Sequence, residues 1–213
     1  MDWATIFVGF VVVFSVFSSS PVPTNSVIKK ASLPNIAASA KAPEVSIPAF
    51  APDISSQNIS ELNQYQVIVS YIMDNYKKVR ITDVLSIAEN IVAYGIEYGT
   101  DPYLIAALIS TESSFNKKAI SKTGAKGLGQ IKSFNFKRLG IVDPYDIKQN
   151  IRATTKYITE LHKRWKGKSR YALASYLEGP TAIKNYKDRP WKKSTTAYVD
   201  KILRRYNKLK NYK

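Results

Sequence analysis

The stretch ISTESSFNKKAISKTGAKGLGQI, residues 109–131, decides the reading of this chain. The residues leading into it, TDPYLIAALIST, predict a helix capped by Thr100 or Asp101, with Pro102 in the first turn, where a missing N–H costs nothing. Ile105, Leu108 and Ile109 form its apolar stripe, and Glu112 lies seven, four and three places further on. At about 100° per residue, that spacing sets a carboxylate inside the stripe and aims it at the core. An ion pair with a neighbouring Lys or Arg would make such a residue structural. Burial without a cation would instead raise its pKa and leave it protonated near neutral pH, the state a general acid needs to protonate a glycosidic oxygen.

Gly124, Gly127 and Gly129 follow within six residues, too many for a helix and suited to a loop whose backbone lies flat against a ligand. Gln130 adds a donor and an acceptor, and Ser113 and Ser121 add hydroxyls, a mixture that suits sugars. No GKS or GKT follows, so a phosphate-binding loop is not supported.

Composition narrows the classes. The chain has 213 residues, 45% of them hydrophobic, enough for one domain with extra segments. With no cysteine and a single histidine, His162, thiolate and multi-histidine metal sites are excluded. The net charge is +16. Residues 1–60 carry Asp2, Glu44 and Asp53 against Lys29, Lys30 and Lys41, so the whole excess falls on the rest of the chain. Such a field favours polyanions: nucleic acid, anionic lipid, or a wall bearing carboxylates and phosphates.

Residues 3–17, WATIFVGFVVVFSVF, are uncharged and as a helix would cover roughly 22 Å. No Lys or Arg precedes the run and Pro21 follows it, which favours a retained membrane anchor over a cleaved secretory signal for residues 1–20. Residues 21–56 are rich in Ser, Ala and Pro and read as a tether. From 57 to 213 helical periods dominate. One helix can face the core with Leu62, Tyr65, Val69, Ile72 and Tyr76. The next, started by Thr82 or Asp83 and stopped by Gly99, can do so with Leu85, Ile87, Ala88, Ile91, Val92 and Ile96. Further helices are expected over about 150–165, 169–177 and 194–208, and no alternating run is long enough for a sheet. The expected fold is mainly α, one globular helical domain with an irregular glycine-rich loop.

The order E-S-x-F-N followed by A-x-S-x-x-G-A-x-G-L-x-Q-I resembles the lytic transglycosylase domain of the soluble-transglycosylase type, related to goose-type lysozyme. Glu112, Ser113, Phe115, Ala119, Ser121, Gly124, Ala125, Gly127, Leu128 and Gln130 fall in register. DPYDIKQNIRATTKYITEL resembles the family's Asp-Pro, Asn and Tyr-Leu helix, ALASYLEGP its ALAAYNAGP, and TTAYVDKIL its closing Tyr-Val helix. The likeness covers roughly residues 82–206 and implies a lysozyme-like (α+β superfamily) fold.

The resemblance implies cleavage of the β-1,4 bond between N-acetylmuramic acid and N-acetylglucosamine in peptidoglycan, with Glu112 as acid and then base, a 1,6-anhydro product, and no metal or cofactor. It implies substrate contacts at Ser113, Ser121, Leu128, Gly129, Gln130, Tyr176 and Tyr198, although spacing alone equally allows the two tyrosines to be core residues. Two departures matter. Gly129 stands where the family usually has Met, so a wall of the sugar site is missing or comes from another side chain. Leu177 and Glu178 replace the family's Asn and Ala, so contacts made by that Asn do not carry over.

Glu178 also opens an alternative, a lysozyme-type hydrolase in which a second carboxylate activates water. Asp143 and Asp146 suit that role less, since DPYD reads as a turn and helix start. Two other classes compete: a basic, membrane-tethered nucleic-acid binder and a catalytically dead wall-binding module. No DNA or RNA module is recognisable, and the nucleic-acid reading leaves the glycine loop unexplained. His162 reads as an exposed helix residue, while Trp165 and Trp191 read as sugar-stacking or core residues. Expected partners are peptidoglycan strands, the membrane, and other envelope or virion proteins, with the catalytic domain facing the wall or carried in a virion.

Overall fold

The computed structural model describes residues 56–186 and 190–212. The expected anchor and most of the expected tether lie outside these residues. Among the described residues no helix is long and apolar enough to cross a membrane.

The architecture is helical: α1 (Ser56–Asn75), α2 (Ile81–Tyr98), α3 (Pro102–Glu112), α4 (Phe136–Leu139), α5 (Ile147–Arg164), α6 (Ser169–Glu178), α7 (Pro180–Tyr186) and α8 (Lys193–Lys210). A 3-10 turn, Ser133–Asn135, leads into α4. Where the glycines interrupt the helical pattern, the chain makes only two isolated antiparallel bridges, Ile120 to Lys126 and Lys126 to Ile131.

α3 is the centre. Leu104 through Ser110 are all buried, so the helix is apolar all round rather than on one stripe, the signature of a helix enclosed by others. It packs against α8, α2 and α1, while α5 backs α2 and α6. Asp101 caps it, accepting from the Tyr103 N–H at 2.9 Å, and also accepts a hydrogen bond from the Tyr206 hydroxyl of α8 at 2.7 Å. The capping residue thus ties the start of α3 to the last helix.

α2 buries Val84, Ile87, Ala88, Ile91, Val92, Tyr94 and Gly95, but Leu85 and Ile96 are exposed. Both were expected in the core; each sits one residue, about 100°, beyond the buried row through 84, 88, 91 and 95. Leu62 is likewise exposed, because α1 is covered only from about Ile68 onward, through Tyr71 and Ile72. Gly99 stops α2 in the left-handed conformation, as its position predicts.

Candidate active site

α3 ends at Glu112, and the chain turns away through Ser114 and Phe115, both at positive φ (53° and 60°). Two consecutive non-glycine residues in that region are each held at a cost of order 1–2 kcal/mol. The offset comes from Phe115, which is buried and packs edge-on against the Tyr76 ring at 4.9 Å. This anchored turn is what leaves the last residue of a core helix at a surface opening.

That opening is a cleft of about 440 Å³ lined by Glu112, Ser121, Thr123, Ala125, Gln130, Ile131, Lys132, Phe134, Asn135, Tyr157, Tyr176, Leu177, Glu178 and Gly179. Burial pushes the Glu112 carboxyl from its ordinary 4.5 up to about 7; a hydrogen bond from Tyr198 and the charge of Lys201 pull the other way without cancelling the effect. The Tyr198 hydroxyl donates to Oε1 of Glu112. Tyr176 is held well above its ordinary range by burial and by the nearby Glu112 charge, so both phenols stay protonated and act as donors.

The glycine loop is fastened from behind by α5. Asn150, fully buried, accepts from the Gly129 N–H at 2.8 Å and donates to the carbonyls of Pro144 at 2.8 Å and Lys126 at 3.2 Å. A Cβ on Gly127 would lie 2.1 Å from the Pro144 carbonyl oxygen, and one on Gly129 would lie 1.8 Å from Oγ1 of Thr154. These two glycines are therefore required by close approach of α5, which corrects the expectation that the loop's glycines serve approach to a ligand. Thr154 occupies the space into which a side chain at 129 would grow.

Of the residues expected at the site, Glu112, Ser121, Gln130 and Tyr176 line the cleft, and Tyr198 reaches it through its bond to Glu112. Gln130 sits at positive φ (51°), with its amide donating to the carbonyls of Gly127 at 2.9 Å and Ala119 at 3.1 Å. Ser121 Oγ accepts from the Ala125 N–H at 3.0 Å. Ser113 is absent from the lining and donates to the Ile109 carbonyl at 3.2 Å within its own helix. Leu128 is fully buried in the main core. Both backbone groups of Gly129 are engaged internally, its N–H by Asn150 and its carbonyl by the Tyr176 hydroxyl at 2.7 Å.

Glu178 does enter the cleft. Its Oε1 accepts from the Thr195 hydroxyl and its Oε2 lies 3.1 Å from Nζ of Lys192. Thr195, then Lys192, hold its carboxyl below the usual range, the opposite direction from Glu112. Asp143 and Asp146 cap turns as expected, accepting from the N–H groups of Tyr145 and Gln149 at 2.8 Å. The tryptophans are packing residues: Trp165 and Trp191 both rest on Tyr171, with ring centroids 5.2 and 5.0 Å away. His162 is partly buried rather than exposed, and burial lowers its pKa. Among the described residues no group of acidic or histidine side chains could hold a metal.

Tyr157, Lys132, Phe134 and Asn135 belong to the lining without having been expected there. The signal for Lys132, Phe134 and Asn135 was present in KSFNF, residues 132–136, which directly follows the glycine loop, whereas Tyr157 comes from α5.

Comparison with known proteins adds a second line. A family model described as the transglycosylase SLT domain matches residues 89–199, more than half of the chain. A protein named transglycosylase from Enterobacteria phage PRD1 is 35% identical over 121 residues, covering 57% of this chain and 43% of that one. A membrane-bound lytic murein transglycosylase F from Desulfosudis oleivorans is 38% identical over 88 residues, 38% of this chain and 19% of that one. The chain thus spans less than half the length of these relatives. Among solved structures, a lytic transglycosylase Slt from Pseudomonas aeruginosa shares the fold, with a TM-score of 0.54 and 18% identity over 73% of this chain and 29% of that one.

Proposed function

From the premise that the chain belongs to the transglycosylase SLT domain family, we propose that it is a peptidoglycan lytic transglycosylase cleaving the β-1,4 bond between N-acetylmuramic acid and N-acetylglucosamine. The observation that carries the reading is the Glu112 carboxyl, brought to a cleft by the end of a buried helix, raised to about 7 and bonded by Tyr198. A carboxylic acid with that pKa can give its proton to the glycosidic oxygen as the C–O bond breaks. The N-acetyl oxygen of the muramoyl residue supports the anomeric carbon. The resulting Glu112 carboxylate then accepts the proton of the same sugar's 6-hydroxyl as that oxygen bonds to the anomeric carbon, closing a 1,6-anhydro ring. Tyr198 steadies the carboxylate between the two steps. The nucleophile is already tethered to the reacting ring, which replaces the entropy of capturing a water. No metal or cofactor takes part.

A second reading has its own support: Glu178 lines the same cleft, ionised, and two carboxylates with pKa values pushed apart suit an acid and base pair that hydrolyses with water. Its engagement by Thr195 and Lys192 argues for the single-glutamate route. Mass spectrometry of sacculi digested by the full chain separates the two. Anhydro-muramic ends, abolished by Glu112→Gln and retained in Glu178→Gln, are expected; reducing muramic ends would establish the hydrolase instead. The phage relative supports a virion setting, and the membrane-bound relatives support an envelope setting in which residues 1–20 anchor the enzyme and 21–56 give it reach.

A further inference from the structure

Phe134 is 78% exposed, although burying such a ring would ordinarily contribute about 1.5–3 kcal/mol. It is not the loose end of a wandering loop. Two residues on, Phe136 packs against the small cluster of Ile131, Leu139, Ile141 and Ala153. The turn between them is closed by the Asn135 N–H on the Lys132 carbonyl at 2.9 Å, while Arg138 reaches Oδ1 of Asn135 at 3.4 Å. The Phe134 ring is therefore presented by an anchored turn, on the lining of the cleft that holds Glu112. Leu177, 44% exposed, is the other large exposed aliphatic or aromatic side chain of that lining among the described residues. Tyr157 and Tyr176, also in the lining, meet with tilted rings 5.2 Å apart, and the Arg138 guanidinium lies 5.1 Å from the Tyr157 ring. Lys132, Asn135 and Thr123 supply polar groups in the same lining.

A pyranose ring presents an apolar face of C–H bonds and a rim of hydroxyls and amides, so its complement is a flat aromatic face bordered by donors and acceptors. We propose that Phe134, with Leu177, is a sugar-stacking platform that holds an N-acetylhexosamine ring of the glycan strand in the cleft, with Asn135 and Lys132 meeting its polar rim. The proposal rests on the glycan-cleaving reading and names where the strand is gripped. It also accounts for the departures at Gly129 and Leu177: Thr154 leaves no space for a side chain at 129, and the cleft draws its apolar contact from another part of the lining.

The test uses the full chain in detergent, in a Glu112→Gln background that removes turnover, titrated with a hexamer of β-1,4-linked N-acetylglucosamine. Phe134→Ala should weaken hexamer binding about 3- to 10-fold, as loss of one aromatic contact would, and Phe134→Trp should restore it. Thermal unfolding should not move in either variant, since the ring is exposed. Equal hexamer affinity for Phe134→Ala and its parent, or loss confined to peptide-bearing sacculi, overturns the proposal; the latter would assign the ring to stem peptides. Absence of saturable hexamer binding by the parent overturns it as well. Failure of the functional reading is distinct: the wild-type chain would then leave sacculi uncleaved whatever the hexamer measurement gives.

Discussion

At the scale of a single residue, the behaviour of Glu112 follows from where α3 stops. Its carboxyl lies at the end of a helix buried for most of its length, and desolvation outweighs both the Tyr198 hydrogen bond and the Lys201 charge. The sign of the pH dependence is then determined. The proton-donating form is full well below pH 7 and is lost as pH rises through about 7, so kcat/KM on solubilised glycan should fall on that alkaline limb. Tyr198→Phe removes a donor that favours the carboxylate, so the limb should move to higher pH, while the rate drops because the charged intermediate state loses its partner. A Tyr198→Phe limb that stays in place or moves down would show that the phenol does not act on Glu112. Of this, the position of Glu112 on an apolar face was legible from spacing. Its partner was not, since 86 residues separate Tyr198 from it.

At the scale of elements, the cleft depends on one polar fastening between the glycine loop and α5. Asn150 satisfies a backbone N–H and two carbonyls from a fully buried position. Asn150→Ala leaves the Gly129 N–H and the Pro144 carbonyl without that partner, while the Lys126 carbonyl keeps the Ile131 N–H; at roughly 1–3 kcal/mol for each group that water cannot reach, urea unfolding should show a loss of about 3 kcal/mol. Gly129→Ala acts on the same contact by overpacking, since its Cβ would fall 1.8 Å from Oγ1 of Thr154. It should lower stability by about 1–3 kcal/mol. Unchanged denaturation midpoints in both would mean that the loop is not held this way. A second tie links the helices of the rim: Thr195 on α8 bonds to Glu178 on α6, one turn before Tyr198 on the same helix bonds to Glu112. The glycines were legible as a loop, but their purpose was misread, because spacing cannot say which helix will pack behind them.

At the scale of the whole molecule, charge is the dominant property. The excess of +16 belongs to the chain beyond residue 60, and α8 alone exposes Lys193, Lys201, Lys208 and Lys210. A wall rich in carboxylates and phosphates would be drawn to such a surface, and the attraction is screened over about 10 Å at 0.1 M salt and about 3 Å at 1 M. Retention of the full chain on sacculi should therefore fall steeply between those salt concentrations. Hexamer binding, which carries no charge, should hardly change. Equal salt sensitivity for both would place the recognition in charge rather than in the cleft.

By itself the sequence determined the helical class, the stop at Gly99, the start of the third helix at Thr100 or Asp101, the irregular loop, and the glutamate on that helix's apolar stripe, because each rests on local periodicity or on a residue's own backbone preference. Only the tertiary structure decided that Tyr198 meets Glu112, that Asn150 and Thr154 stand behind Gly127 and Gly129, and that Leu128 is core while Phe134 stands in the cleft. These are contacts between segments distant in sequence, and the free energy that selects them comes from burying surfaces that exist only once the helices have packed.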